Sequence, residues 1–297
     1  MTDTARTTTV TLPSLPSLLP LMARGALLSP LKRPRHPVGA RGLSRTRLVV
    51  PALRISRSHL AAYARVCAFP TGGAELPVTY PHVLGFPLAM RLMSERAFPL
   101  PLLGLVHTSI DITQHRPPNP GDVHELSARI EELRPHRRGT EAVVSTELRT
   151  DGALVWQSTS AYLARHRTPG TTDTDPPAPT PAAPLPPLAE WTLSGDLGRR
   201  YAAASGDRNP IHLHPLTARA FGFPRAIAHG MWTVARCLAE HGARGPVHVR
   251  AQFKAPVLLP GTVTYAAHGT AFALRATDGD RVHVTGDVRE IDTPLRG

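Results

Sequence analysis

Two side chains able to transfer protons, Asp207 and His212, lie five positions apart in the C-terminal half of the chain. Asn209 and Pro210 separate them, and this dipeptide favours a turn over a regular helix. We therefore expect the turn to bring the carboxyl group and the imidazole into one small volume, where both can contact a single water molecule. Such a pair suits acid–base chemistry.

A helix is predicted to begin shortly after this pair. Residues 215–221 are typical of one helical run, and a second helix is predicted to begin near 226–230. The first backbone N–H groups of a helix have no partner within the helix, so they stabilise a developing negative charge. The sequence thus predicts an anion-stabilising group beside an acid–base pair.

The chain contains two copies of one pattern, on either side of a proline-rich segment. Residues 168–187 read TPGTTDTDPPAPTPAAPLPP, a composition typical of an extended linker. At 48–167 and again at 188–297, a tyrosine-led amphipathic segment precedes an aromatic-proline step into an apolar helix, and alternating strands follow around a Pro-Gly turn. This internal repeat predicts two copies of one fold.

Both copies show the alternation of polar and apolar residues that is typical of half-buried strands. Asp151-Gly152 and Asp278-Gly279 are strong hairpin-turn dipeptides. The predicted strands are 143–148, 154–163, 247–253, 263–268 and 282–288. Because one long apolar helix precedes the strands in each copy, we expect an α+β fold in which an antiparallel sheet wraps a central helix.

Residues 1–47 differ in composition from the rest of the chain. Asp3 is their only acidic residue, eight residues are arginine or lysine, and prolines interrupt the leucines. The mixture is superficially similar to a transit peptide or a signal sequence, but its apolar centre is broken and no A-x-A cleavage site follows. We expect a flexible basic arm with one short helix near 18–28.

The composition excludes several classes of protein. The chain has 297 residues, enough for about two domains, and no apolar run approaches the roughly 18 residues of a membrane-spanning helix. Its two cysteines lack the spacing of a disulfide framework or a zinc site, which favours a reducing cytoplasm. The net charge of +12 suits an acidic carrier protein, a phosphate-bearing cofactor or nucleic acid, or reflects codon usage alone, but no nucleic-acid-binding motif is present.

One stretch of the chain resembles a known family. The sequence Y-A-x-x-S-G-D-x-N-P-I-H, followed by F-G-F-P and I-A-H-G-M, spans residues 201–231. It resembles the signature of the MaoC-like R-specific enoyl thioester hydratases and (3R)-hydroxyacyl thioester dehydratases, which adopt the hot-dog fold. The repeat and the linker are similar to those of single-chain members over about residues 48–295. The resemblance implies a double hot-dog fold, with two antiparallel sheets side by side as a pseudo-dimer.

The resemblance also implies roles for individual residues. Asp207 and His212 match the family's catalytic pair, which holds the water and moves the α-proton, and the N–H of Gly230 matches the donor that polarises the thioester carbonyl. The supporting positions of the motif are Tyr201, Ser205, Asn209 and His229. His212, His214 and His229 lack the ligand spacing of a zinc site. We expect no metal, and no cofactor beyond the CoA or phosphopantetheine that the substrate carries.

The sequence departs from the family's pattern at His214 and in the first copy. Family members commonly have Asp or Asn at the position of His214, so we expect a weaker cap on the helix that follows. In the first copy, Phe69 falls at the place of Asp207, and Pro87, which has no N–H, falls at the place of Gly230. We therefore expect a degenerate first copy and one active site per chain.

Substrate contacts are predicted from both copies. The apolar helix at 83–93 is the expected lining of an acyl tunnel, and Arg208 and Arg225 lie beside the motif, where they either contact a phosphopantetheine phosphate or remain solvated. The candidate substrate-binding residues are Val83, Phe86, Arg208, Phe223 and Arg225.

The leading interpretation is a cytoplasmic hydro-lyase that reversibly dehydrates (3R)-hydroxyacyl thioesters to trans-2-enoyl thioesters in fatty-acid or polyketide metabolism. Its substrate would be carried by CoA or by an acyl carrier protein. The alternatives are an enoyl-CoA hydratase of β-oxidation with the same site, a non-catalytic acyl-thioester-binding subunit and, more weakly, a nucleic-acid-linked role of residues 1–47. We expect no nucleic-acid or membrane partner, and either a monomer with an internal pseudo-dimer or a homodimer.

Overall fold

The computed structural model of the chain describes residues 7–32, 46–167, 185–279 and 281–291. Most of the predicted linker, residues 168–184, and residues 1–6 and 33–45 of the predicted arm lie outside these ranges. In the described part of the chain, no helix is long and apolar enough to span a membrane.

The N-terminal half contains one long buried helix and the strands that pack around it. Its elements, in chain order, are β1 (Thr8–Thr11), α1 (Leu18–Leu28), a 3-10 turn (Ser29–Leu31), β2 (Thr46–Arg54), α2 (Arg57–Cys67), α3 (Tyr80–Ser94), β3 (Val106–Gln114), β4 (Val123–His136), β5 (Gly139–Thr150) and β6 (Ala153–Arg165). The helix α3 packs against β4 and β5. Asp151 and Gly152 have φ angles of 51° and 76°, the positive values that the predicted hairpin turn requires.

The C-terminal half repeats this plan around the helix α7. Its elements are β7 (Pro187–Leu193), α4 (Leu197–Ser205), α5 (Pro210–Leu213), α6 (Pro215–Ala220), α7 (Gly230–His241), β8 (Val247–Phe253), β9 (Gly261–His268), β10 (Ala271–Ala276) and β11 (Val282–Glu290). All five predicted strands are present, as parts of β5, β6, β8, β9 and β11.

The two halves share a single sheet of 11 strands. The strand order is β1-β2-β4-β5-β6-β3-β8-β11-β10-β9-β7, so the halves join where β3 pairs with β8. This pair is antiparallel, from Ser109 opposite Gln252 to Gln114 opposite Val247. The arrangement is the expected double hot-dog fold, with the two predicted sheets joined edge to edge.

The two halves correspond closely at the turn that follows the first helix of each repeat. The residues directly after α2 and α4 are Ala68 and Gly206, both in the left-handed conformation with φ angles of 61° and 77°. The residues that follow are Phe69 and Asp207, which agrees with the predicted correspondence of these two positions. The first copy therefore places an apolar ring where the second places a carboxyl group.

The predicted correspondence of Pro87 with Gly230 is wrong. Gly230 is the first residue of α7, whereas Pro87 lies inside α3, which begins at Tyr80. Proline is well tolerated in the first turn of a helix, and Pro81 occupies such a position, so α3 begins earlier than the alignment of the two sequences suggests. The position of Pro87 therefore does not support the expectation that the first copy lacks an oxyanion donor.

Residues 7–32 are not the flexible arm that their composition suggests. The helix predicted at 18–28 is present as α1, but β1 also pairs in parallel with β2, and α1 packs against α3. Leu18, Leu21 and Met22 pack against the hydrophobic core. The leucines between the prolines therefore form an apolar face, whose burial offsets the entropy lost when this segment is ordered.

Two buried tryptophans donate hydrogen bonds to backbone carbonyls of the first repeat. The indole N–H of Trp156, which is fully buried, donates to the Val78 carbonyl at 2.8 Å. The indole N–H of Trp232, in α7, donates to the Val66 carbonyl of α2 at 2.8 Å. Because Val66 belongs to the first repeat, this second bond fixes the helix of one repeat against the other.

Candidate active site

The turn after α4 fixes the carboxyl group of Asp207. Gly206 follows the last residue of α4 and adopts the left-handed conformation that favours glycine. The N–H of Asp207 donates to the Ser205 hydroxyl oxygen at 3.2 Å, and the Asp207 Oδ1 accepts the N–H of Asn209 at 3.1 Å. These local bonds hold the backbone and the side chain of Asp207 in one orientation, as an Asx turn does.

The next residues place His212 in a short helix. Asn209 caps α5, because its Oδ1 accepts the N–H of Ile211 at 3.4 Å, and Pro210 occupies the first helical position. The Nδ1 of His212 lies 2.8 Å from the Ile227 carbonyl oxygen, which can only accept a hydrogen bond. His212 therefore carries its proton on Nδ1 when the ring is neutral, which leaves a lone pair on Nε2.

His229 holds the loop of Asp207 against His212. Its Nε2 donates to the Asp207 backbone carbonyl at 2.9 Å, and its ring stacks on the ring of His212 with centroids 3.7 Å apart. The N–H of Ile227 donates to the Ile211 carbonyl at 3.1 Å, which joins the two loops a second time. The five-residue spacing of Asp207 and His212 thus forms a compact site, as expected.

Burial favours the neutral form of both histidine rings. It lowers the pKa of His212, although the charge of Asp207 opposes this effect. Burial, followed by the neighbouring His212, lowers the pKa of His229 to about 3. The side chain of Asp207 is 27% exposed, so its carboxyl group faces a space that solvent or a ligand can reach.

Gly230 begins α7 beside this cluster. The first N–H groups of the helix have no partner inside it, and the His229 side chain does not cap them. A Cβ atom on Gly230 would lie 2.9 Å and 3.0 Å from two ring atoms of Phe253. Glycine is therefore the residue that lets the aromatic ring lie close to the helix start.

Asp207, His212 and His229 also offer ligand atoms within 4.8 Å of one another. The two imidazole rings are stacked with an angle of 25° between their planes, and each ring donates its N–H to a carbonyl. The nitrogens left with a lone pair are then the Nε2 of His212 and the Nδ1 of His229. The expectation of no metal at these residues stays a prediction.

The other predicted residues lie at different depths. Tyr201 is buried on α4, with its ring 4.8 Å from that of His229. Val83 is buried, and Phe86 and Phe223 are half-buried. Arg208 and Arg225 are exposed.

His214 is exposed and lies outside the cluster of rings at the site. Its Nδ1 accepts the N–H of Leu216 at 3.2 Å, so the imidazole does cap α6, a bond that the sequence predicted to be weak. The Leu216 N–H at the start of α6 therefore has a side-chain partner although the position holds neither Asp nor Asn.

Three residues of the first repeat near the site were not predicted from the sequence. The charge of Asp207 acts on His82 and on Tyr162, and the ring of Tyr162 stacks on that of His107 at 4.5 Å. No motif surrounds His82 or His107 in the sequence, so nothing local marks them as site residues. Only the fold brings the first repeat to this position.

A double hot-dog protein with an Asp-His pair beside the start of its second central helix is a well-defined class. The model of the MaoC like domain matches residues 178–292 of the chain. The chain is 38% identical over 248 residues to a Mycobacterium tuberculosis protein named 3-hydroxyacyl-thioester dehydratase X, covering 82% of this chain and 88% of that protein. The chain therefore belongs to the MaoC-like dehydratase family.

Two further comparisons agree. The crystal structure of HtdX of Mycobacterium tuberculosis has a TM-score of 0.72 and 35% sequence identity, covering 82% of this chain and all of that one. A Mycobacterium tuberculosis protein named enoyl-CoA hydratase ChsH3 is 35% identical over 107 residues, which cover 32% of this chain and 35% of that protein. The double hot-dog fold is thus confirmed, and the family predicted from residues 201–231 is confirmed as well.

Proposed function

We propose that this chain is a hydro-lyase that reversibly converts (3R)-hydroxyacyl thioesters into trans-2-enoyl thioesters and water. The observation that carries the proposal is the pairing of the Asp207 carboxyl group with a neutral His212 beside the start of α7. The dehydratase that is 38% identical over most of the chain supports the same reaction.

His212 is suited to act as the base that takes the α-proton. Its Nδ1–H is held by the Ile227 carbonyl, so its free lone pair is on Nε2. As the C3–O bond breaks, the proton on Nε2 passes to the departing hydroxyl group and forms water. Asp207 accepts a hydrogen bond from that hydroxyl group and orients it, and the ring of His212 returns to its neutral form.

The N–H of Gly230 is suited to stabilise the enolate-like charge on the thioester oxygen. A free N–H at a helix start is oriented before the reaction, and the loss of one such donor typically lowers a rate by about 100-fold to 1,000-fold. Ser205 and Asn209 fix Asp207, and His229 fixes its loop, so these residues act by positioning.

The substrate's acyl and carrier groups remain part of the proposal. Val83, Phe86 and Phe223 are the apolar candidates for the acyl chain, and Arg208 and Arg225 are exposed candidates for a phosphate of CoA or phosphopantetheine. The net charge of +12 suits either an acyl carrier protein or CoA. We propose a cytoplasmic location and an internal pseudo-dimer that acts as a monomer or as a homodimer.

A hydratase acting in the opposite direction is the second candidate function. It uses the same residues, and the similarity to the enoyl-CoA hydratase ChsH3 over 107 residues favours it. The direction in the cell depends on substrate supply and not on the site.

To test the proposed reaction, the absorbance of the conjugated enoyl thioester is measured with crotonyl-, octenoyl- and dodecenoyl-CoA as substrates. The wild-type chain is expected to consume the enoyl group and form an R-configured product, whereas Asp207→Asn and His212→Ala abolish this activity. His268→Ala is the matched control, because His268 is exposed at the end of β9. No turnover with CoA esters or with the same acyl groups on acyl carrier protein would contradict the proposal and favour a binding subunit.

A further inference from the structure

A row of rings from the first repeat reaches the candidate active site. His82, in the first turn of α3, stacks on His107 of β3 with centroids 5.8 Å apart and an interplanar angle of 16°. The ring of His107 lies 4.7 Å from that of Phe253, the residue that packs against Gly230. One aromatic ring, that of Phe253, therefore lies between His107 and the start of α7, and His82 lies on the far side of His107.

The pair contains buried polar atoms that the protein does not satisfy. His82 is only 7% exposed, and within the described ranges neither its Nδ1 nor the Nε2 of His107 has a hydrogen-bond partner. A buried polar group without a partner destabilises a fold, so an apolar ring would pack more favourably here. These atoms are explained if a ligand supplies the missing partner.

The surroundings of the pair indicate which part of a ligand it meets. The charge of Asp207 reaches His82, and burial lowers the pKa of His82 to about 4, so its ring is neutral at pH 7. A neutral imidazole has one donor and one acceptor nitrogen, so it can pair with a hydroxyl group, which both donates and accepts hydrogen bonds. The thioester carbonyl is placed at Gly230 by the proposed reaction, which leaves the 3-hydroxyl group on the side of Asp207.

Building on the proposed function, we propose that His82 hydrogen-bonds the 3-hydroxyl group of the acyl thioester, while His107 holds the ring of His82 in position. The active site is then composed from both repeats, and the first repeat contributes to substrate specificity as well as to the scaffold. His82 contacts the substrate in this scheme, and His107 is a positioning residue.

Substitutions that keep the ring but remove its nitrogens test this inference. His82→Phe is expected to lower kcat/KM for 3-hydroxyacyl-CoA about tenfold, the effect of losing one neutral hydrogen bond, while the melting temperature stays the same or rises. His82→Asn keeps a polar atom near the position of Nδ1 and is expected to restore part of the activity. A ring that only packs predicts an unchanged kcat/KM in His82→Phe.

His124→Phe is the matched control. His124 is a fully buried histidine of the same repeat, and its nitrogens bond to the Thr150 hydroxyl at 2.9 Å and the Asn119 carbonyl at 3.1 Å. This substitution is expected to lower the melting temperature and to leave kcat/KM of the folded protein unchanged. A lower kcat/KM in His82→Phe and a lower melting temperature in His124→Phe together distinguish a substrate contact from a structural contact.

A binding experiment separates this inference from the proposed reaction. Equilibrium binding of (3R)-hydroxyoctanoyl-CoA and of octanoyl-CoA is measured with Asp207→Asn alone and combined with His82→Phe. The single variant is expected to prefer the hydroxylated ligand about threefold to tenfold, and the double variant to bind both ligands equally.

An equal preference in both variants, or no preference in either, would overturn the role of His82. A preference that depends on His82 in a chain without any turnover would support the hydroxyl contact and contradict the proposed reaction. Turnover that is unaffected by His82→Phe would contradict this inference alone.

Discussion

Acid should destabilise this protein through His82, and the magnitude follows from its buried position. Burial lowers the pKa of His82 to about 4, against an ordinary value of 6.5 that applies to the unfolded chain. Because the unfolded chain binds the proton more readily, the free energy of unfolding is fully retained above pH 6.5 and decreases as the pH falls from 6.5 towards 4. Between pH 7 and pH 5, His82 alone should remove about 2 kcal/mol.

The assay is urea unfolding at pH 7 and pH 5, followed by circular dichroism, for the wild-type chain and His82→Phe. Other histidines with a lowered pKa, such as His212 and His229, contribute to both proteins, so the difference between the two pH-induced changes reports His82 together with its effect on His107. We expect the wild-type chain to lose about 2 kcal/mol more than the variant. Equal losses would refute the conclusion that His82 is buried and uncharged.

Three further predictions concern the site and its support. Gly198→Ala should lower the free energy of unfolding by about 1–3 kcal/mol and impair turnover, because a Cβ would overlap the His212 backbone carbonyl. Urea unfolding measures the first effect and the enoyl assay the second. Gly195→Ala is the control and should change neither quantity, because the atom nearest to its Cβ would lie 3.6 Å away. Trp232→Phe should cost about 1–3 kcal/mol in urea unfolding by leaving the Val66 carbonyl unsatisfied, and a smaller effect would mean that water replaces the indole. The value of kcat/KM should decrease at acid pH with an inflection below pH 6.5, because burial lowers the pKa of His212 and the base must be neutral. An acid-side inflection at or above pH 6.5 would contradict the assignment of His212 as the base.

Much of the fold and the motif could be predicted because the signals are local. Alternating residues and the dipeptides Asp151-Gly152 and Asp278-Gly279 determine strands and hairpins over a few positions. The order of polar residues in 201–231 likewise reflects a turn, a cap and a helix start that follow one another directly. The association of Asp207 with His212 needs only this one loop.

The remaining features depend on contacts between distant parts of the chain. The pairing of β1 with β2 and of β3 with β8 involves strand edges whose partners the alternation does not identify. His82 and His107 approach Asp207 only because the two repeats share one sheet. Pro87 was misplaced because similar residues in the two copies do not fix where each helix begins.

The most direct test of the account is the dehydration of (3R)- and (3S)-hydroxyoctanoyl-CoA, followed by the rise in enoyl thioester absorbance. We predict that the wild-type chain forms the enoyl product from the 3R ester alone, and that Asp207→Asn and His212→Ala lose this activity while keeping the wild-type circular dichroism spectrum. Equal activity on both esters, or full activity in either folded variant, would contradict the assignment of Asp207 and His212 as the reacting pair.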